Sequence, residues 1–240
     1  QLCTQAQPVS RGGVHRHEYG QPQASRNVQP YIRGSRGDSN PVSIPVSEMI
    51  LDEVDRMDQK QIWLALERLS GQTRKCVWAI STPTIPNYGI HKLYKNSTQE
   101  HFVFQCPACS RWTELVWPDC VEIIGETIYD PRCFESFLKC KECKNRLEHR
   151  DKPNWLGKTG KWEVSAKNAN PDHRGFHINQ LYSFTVSPGE LVVAYLRGMG
   201  DEAANKEFHN SKLGLPFIGE GAQITDEMID DGCIGTHTSN

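Results

Sequence analysis

Two groups of side chains in this chain have the type and spacing to do chemistry. The first is Asp52-Glu53, adjacent carboxylates that close the apolar run Met49-Ile50-Leu51. An apolar strand anchored in a sheet and ending in two acids is the Walker B arrangement. The first acid can hold the shell of a Mg²⁺ ion, and the second can orient the water that attacks a phosphate. Asp52-Glu53-Val54-Asp55 is also compatible with an ordinary solvated turn. The second group is Cys106-Pro107-Ala108-Cys109 and Cys140-Lys141-Glu142-Cys143, two C-x-x-C pairs about thirty residues apart. A two-residue gap lets both sulfurs of a pair reach one cation, and two pairs complete a closed, tetrahedral Cys₄ zinc site. Four unrelated thiols, or a redox pair, are the alternatives. Cys120 and Cys133 lie between the pairs as competing ligands, while Cys3, Cys76 and Cys233 belong to no such spacing.

The acids need a sheet to hold them. Met49-Ile50-Leu51 reads as a short buried parallel strand, and Gln59 to Leu69 as a helix with Ile62, Leu66 and Leu69 on one face. Gly71 is its stop, and Cys76-Val77-Trp78-Ala79-Ile80 is a second strand closing at Ser81-Thr82-Pro83. Strand, helix and strand in this order form a βαβ unit. In nucleic-acid motors a small hydroxyl motif after the neighbouring strand sits near the γ-phosphate, so Ser81, Thr82 and Pro83 are candidates for coupling hydrolysis to movement. Gly157-Lys158-Thr159 imitates the end of a phosphate-binding loop, G-x-x-x-x-G-K-S/T. The first glycine would fall at Lys152, no apolar strand leads in, and the segment follows the acids, so it reads as a turn. No phosphate-binding lysine of that loop is found in the chain, and a complete ATP site cannot form from these residues.

The cysteine pairs fall in a stretch from about His101 to Arg150 with short strand-like runs such as Phe102-Val103-Phe104. A Lys/Asn/Gly-rich connection follows. Ser187-Pro188-Gly189-Glu190 supplies an N-cap serine, a proline at the first helical position and a capping-box glutamate, so a helix runs from there to about Arg197. Another is expected from Asp201 to about Ser211. The histidines have no H-E-x-x-H spacing and suggest no catalytic metal centre.

The 240 residues carry a formal net charge of -2, so nothing global attracts them to DNA, and any such contact needs a local basic patch. No apolar run is long enough to span a bilayer, and no secretory signal opens the chain. The nine cysteines are an odd number, which excludes full pairing within one chain. Arg36-Gly37-Asp38 reads as a polar turn rather than an adhesion motif. Gln1 in place of Met suggests a truncated reading.

The order Met49-Ile50-Leu51-Asp52-Glu53-Val54-Asp55, then Ser81-Thr82-Pro83-Thr84, then Cys106-Pro107-Ala108-Cys109, resembles the large terminase subunits of lambda-like tailed phages. Gly175-Phe176-His177-Ile178-Asn179 with Leu181-Tyr182-Ser183, and Phe208-His209-Asn210 leading into Leu213-Gly214-Leu215-Pro216, resemble that family's link between ATPase and nuclease. The resemblance runs from about Tyr31 to Pro216. It implies a P-loop ATPase that pumps double-stranded DNA into the procapsid, followed by an RNase H-like nuclease that cuts concatemers with carboxylate-bound divalent metals. Asp52 and Glu53 match its Walker B acids, with Asp52 on Mg²⁺, and Ser81, Thr82 and Pro83 match its coupling motif. It further implies ATP as cofactor, a small terminase subunit and a portal protein as partners, a homo-oligomeric motor, and action in the host cytoplasm, transiently at the procapsid portal.

The fold expected is α/β: the C-terminal part of a P-loop (RecA-like) ATPase sheet, a zinc-ribbon-like insertion and a short helical connector. The expected division is a flexible or irregular segment at 1–30, ATPase at 31–100, the insertion at 101–150, a connector towards the nuclease at 151–218 and a linker at 219–240. Both the Walker A loop and the nuclease acids are expected outside the chain, with Asp226, Glu227, Asp230 and Asp231 in the linker, so the chain alone should be inactive. Two alternatives differ in class. Asp52-Glu53-Val54-Asp55 has the D-E-x-D form of a superfamily 2 helicase motif, but cysteine knuckles follow where a second RecA-like domain should. A non-enzymatic zinc-ribbon module binding DNA or protein would leave the acids structural.

Overall fold

β1 (Glu48–Asp52) and β2 (Cys76–Ile80) pair in parallel, with Leu51 opposite Ala79 and Asp52 opposite Ile80. Between them lie a 3-10 turn, Val54–Arg56, and α1 (Gln59–Leu66), whose N-cap Asp58 accepts from the Lys60 amide. The expected βαβ unit is therefore present. α1 stops at Leu66 rather than Leu69, and Glu67–Leu69 tightens into a 3-10 turn that satisfies carbonyls left over at the helix end. Leu51, Val54 and Ile62 bury together against Met49, Leu66 and Ala79, a small core on one face of the pair. The other face, with Ile50, Trp78 and Ile80, is exposed, so the strands are not the buried ones their apolar runs suggest. Leu51 alone is buried in β1 and no residue is buried in β2, because no described element packs on that face. These features belong to a computed structural model of the chain, which describes residues 46–219. The segment 1–30, the Arg36-Gly37-Asp38 turn, Cys3, Cys233 and the acids Asp226, Glu227, Asp230 and Asp231 lie outside the described residues.

After β2 come α2 (Gly89–Lys95), β3 (Glu100–Gln105) and β4 (Trp112–Thr113). β5 (Val121–Glu122), β6 (Phe137–Lys139) and β7 (Arg146–Leu147) form a small antiparallel sheet. The connection beyond Arg150 is more structured than its Lys/Asn/Gly content suggests. It holds α3 (Lys152–Thr159) and β8 (Lys161–Val164), and β9 (Phe176–His177) follows. β3 is the centre of a four-stranded sheet, antiparallel to β4 and β8 and parallel to β9.

Gly157-Lys158-Thr159 is thus the last turn of α3 and not a loop. The reason is burial: Trp155 and Leu156 insert into the core, and the Thr159 hydroxyl donates to the Trp155 carbonyl at 3.3 Å while accepting from the Gln105 amide at 3.0 Å.

α4 (Pro188–Gly198) starts with the expected capping box, Ser187 Oγ accepting from the Glu190 amide and Glu190 from the Ser187 amide. α5 (Glu202–Glu207) opens with Asp201 as its cap and loosens into a π-helical turn at Phe208–Lys212. The second core joins the cysteine region to this C-terminal part: Phe104, Leu115, Leu138 and Leu147 pack with Trp155, Leu181, Leu191 and Val192. Fully burying one such side chain contributes roughly 1.5–3 kcal/mol, so this core dominates the described residues. The Tyr182 hydroxyl accepts from the Leu115 amide at 2.8 Å and donates to the Phe102 carbonyl at 2.6 Å, so no polar atom of it is wasted inside. Among the described residues no helix is long and apolar enough to cross a membrane.

Candidate functional site

Asp52 is the last residue of β1 and is exposed. Glu53 follows in the left-handed region, φ 58 and ψ 47, unusual for a residue with a side chain, and it too is exposed. Its only ionic partner among the described residues is Arg56, at 3.7 Å and itself exposed. Both carboxylates are therefore presented to solvent at the C-terminal end of a parallel strand. The register sets Ser81 to Pro83 at the same end, directly after Ile80, which pairs with Asp52. Ser81 Oγ accepts from the Asp55 amide at 3.1 Å and donates to the Thr82 carbonyl at 3.2 Å; Thr82 is exposed and Pro83 buried. The acids and the Ser-Thr-Pro loop, far apart in sequence, thus form one surface.

Asp55 is the acid that the sequence does not single out. Its carboxylate is buried and accepts from the Thr84 amide at 2.8 Å, the Thr84 hydroxyl at 2.8 Å and the Ile90 amide at 2.6 Å. At Gly89, φ +47, an added Cβ would fall 2.1 Å from the Asp55 Oδ1, so only glycine lets α2 start against this carboxylate. The signal in the sequence was the third acid of Asp52-Glu53-Val54-Asp55 together with the donors after β2, but nothing there separated a buried acid from two exposed ones.

The four cysteines of the two knuckles converge, their sulfurs all within 4.8 Å of one another. Each knuckle is built alike. The Ser110 amide donates to the Cys106 carbonyl and the Cys106 amide to the Arg111 carbonyl; the Lys144 amide donates to Cys140 and the Cys140 amide to Asn145. Ser110 and Lys144, each just after the second cysteine, have φ 58 and φ 61. A tetrahedral zinc with bonds of about 2.3 Å needs sulfurs roughly 3.8 Å apart, and Cys106 and Cys143 Sγ are 3.8 Å apart. Burial pushes the Cys106 thiol up to about 12, so a thiolate there calls for a cation. The donor set fits a closed zinc site. Cys120 and Cys133 are buried elsewhere, Cys120 donating to the Glu114 carbonyl and Cys133 to Thr127, and neither joins the cluster.

A cavity of about 190 Å³ lies between β3, β4 and the segment after β9, lined by His101, Glu114, Trp117, His177, Asn179 and Tyr182 among others. Its polar groups hold one another. His101 Nδ1 is 3.3 Å from Glu114 Oε2, Lys141 Nζ reaches the other Glu114 oxygen at 3.4 Å, and His177 Nε2 donates to the Leu213 carbonyl at 2.9 Å. Burial holds the His177 pKa below the ordinary histidine value, which favours the neutral ring. These groups form a structural joint rather than an open site.

With this geometry in hand, comparison with known families decides the identity. The family model for the ATPase domain of the phage terminase large subunit gpA matches residues 31–162. The chain belongs to the gpA family of phage terminase large subunits. The model for the endonuclease domain of the same terminase subunit matches residues 173–233. Comparison with curated proteins and with solved structures gives no match. The terminase assignment displaces both the helicase and the stand-alone zinc module. The exposed acids and the Ser-Thr-Pro loop fall in the part matched to the terminase ATPase, as do the four clustered cysteines. The joint around His101 and His177 links that part to the terminase endonuclease match.

Proposed function

We propose that Asp52 and Glu53 are the hydrolytic acids of a DNA-packaging ATPase, Asp52 holding Mg²⁺ and Glu53 orienting the attacking water. The observation that carries this reading is their exposure at the tip of a parallel strand, beside Ser81, Thr82 and Pro83. Bound Mg-ATP supplies the phosphoanhydride and the charge that polarises it. The chain's own part is to hold two exposed carboxylates, with only the exposed Arg56 near Glu53, and to present the Ser81–Pro83 loop beside them. Ser81, tied to the Asp55 amide, keeps the coupling loop in register with the acids, so a change at the γ-phosphate can be passed to the Ser81–Pro83 loop.

The parallel pair is read as the C-terminal part of a P-loop (RecA-like) sheet. Parallel strands are normally covered on both faces, and the exposed Ile50, Trp78 and Ile80 are the surface such a sheet would cover. Cys106, Cys109, Cys140 and Cys143 hold a structural Zn²⁺ in a zinc-ribbon-like insertion at 101–150. Four protein ligands leave no open position, and such a site contributes roughly 10–16 kcal/mol to folding. The residues expected at 151–218 as a connector lead into the nuclease, whose family match already begins at residue 173. The substrate is double-stranded DNA in the host cytoplasm. The partners are a small terminase subunit, a portal protein and further copies of the same subunit.

The test is the coding DNA on both sides of this reading frame. An apolar strand leading into G-x-x-x-x-G-K-S/T upstream, with strand-tip acids downstream, is the expected result, together with no ATP turnover by the isolated chain. Robust Mg-dependent turnover by the isolated chain, or genuine stop codons without those motifs, would remove the assignment of Asp52 and Glu53.

A further inference from the structure

The two cores share no residue: Leu51, Val54 and Ile62 form one, and Phe104 to Val192 the other. Near the acids, one polar contact among the described residues joins the acidic turn to the C-terminal segment, and it runs through Thr84. Thr84 gives its amide and hydroxyl to the Asp55 carboxylate, and its carbonyl accepts from the Phe217 amide at 3.1 Å. The Phe217 ring lies 4.9 Å from that of His209, tilted by 30°, and His209 sits in the π-helical turn with its Nδ1 donating to the Asn205 carbonyl at 2.9 Å. Phe217, His209 and Asn205 all belong to the part matched by the terminase endonuclease model, whereas Asp55 and Thr84 belong to the ATPase match.

Resting on the reading of Asp52 and Glu53 as hydrolytic acids, we propose that Asp55 is a positioning residue whose carboxylate fixes the acidic turn against the Thr84 loop and, through Thr84, ties the turn to the nuclease-side segment at Phe217. The physical case is that Asp55 has no freedom to move alone. It is two residues from Glu53, its amide is held by Ser81, and its two oxygens hold Thr84 and the first turn of α2. A movement of the acidic turn that shifts Asp55 must either break charge-assisted hydrogen bonds or carry Thr84 with it, and the Thr84 carbonyl holds the Phe217 amide. The carboxylate occupies the space that a Cβ at position 89 would need, so any side chain there would displace it.

The experiment uses a terminase that carries this segment together with its phosphate-binding loop, and measures kcat and KM for ATP beside amide exchange at Thr84, Ile90 and Phe217. Asp55→Asn turns one acceptor oxygen into a donor facing a backbone amide. It is expected to lower kcat about ten- to a hundredfold with KM within about twofold, and to raise exchange at Thr84 and Phe217 together. Thr84→Ser should stay near the parent, and Thr84→Val should fall between. Should Asp55→Asn fail to fold, equal kcat in Thr84→Ser and Thr84→Val would overturn the proposal. So would an Asp55→Asn enzyme with parental kcat while Asp52→Asn abolishes turnover. An Asp52→Asn enzyme with parental turnover would instead sink the assignment of the acids.

Discussion

Both the acidic turn and the cysteine knuckles place a non-glycine residue in the left-handed region, but they do so for opposite ends. In the knuckles Ser110 and Lys144 repeat one backbone design twice, and each design is closed by two amide–carbonyl bonds around its first cysteine. That region is anchored by the larger core and brings four sulfurs together, with Cys106 and Cys140 buried. In the acidic turn the left-handed residue is Glu53 itself, exposed, with Asp55 beneath it making the bonds that Glu53 lacks. One region uses strained backbone to build a closed scaffold; the other uses it to hold reactive groups open to solvent. The lesson is that the acids gain their position from polar bonds, whereas the cysteines gain theirs from a core that a metal would complete.

The strongest way to break that contrast is to remove the proposed zinc. Chelation, or Cys106→Ser, should unfold the cysteine region, a loss on the scale of roughly 10 kcal/mol. It should expose Phe104 and Trp155 while amide protection at Val54 and Ile62 persists, readable by tryptophan fluorescence and residue-resolved exchange. Simultaneous loss in both regions would mean that the two cores are one unit.

A smaller effect is expected at the join of β3 to the segment before β9. Glu100 is almost wholly buried and is held by Arg174 at 2.7 and 2.6 Å, with Thr98 donating at 2.9 Å. The Arg174 guanidinium keeps its carboxyl below the ordinary glutamate value. Since its folded pKa is depressed, this pair stabilises above the unfolded pKa and loses that contribution as pH falls through the folded one. Arg174→Ala should cost about 2–4 kcal/mol in denaturant melts at pH 7, at the lower end because Arg174 is more than half exposed. It should also flatten the acid limb of the profile.

Lys152 sharpens the same region from the alkaline side. It is buried, donates to the Ser183 carbonyl at 2.5 Å, and burial lowers its pKa to about 8. With the folded value below the unfolded one, about 10.4, the unfolded state binds more protons in between. Stability should rise from about pH 8 to about pH 10 relative to Lys152→Met. A melting temperature with the same pH slope in both proteins would contradict it. The mildest change is Ser187→Ala, which removes the capping hydroxyl of α4 and should cost about 1 kcal/mol in the same melts, leaving metal content unchanged.

Much of the frame was legible because it rests on local signals. β1 and β2 follow from short apolar runs, α4 from Ser187 and Glu190, and the sulfur cluster from the C-x-x-C spacing. α3 was not legible: Gly157 lies inside it, the Pro153 start lacks a side-chain cap, and the burial of Trp155 and Leu156 is what supports it. β8 and β9 owe their existence to pairing with β3 rather than to their own composition. The same holds within the candidate site. Asp52 and Glu53 stand out because a strand ends there, while Asp55, their support, looks like any third acid until Thr84 and Ile90 arrive from beyond β2.

The most direct test of the acidic turn as the hydrolytic site is Glu53→Gln in a terminase carrying this segment and its phosphate-binding loop, measured by ATP binding and single-turnover hydrolysis. Because Glu53 is exposed, the melting temperature should stay at the parental value and ATP should still bind. Hydrolysis should fall at least about a hundredfold. Hydrolysis at the parental rate, in a folded enzyme that binds ATP, would contradict the account.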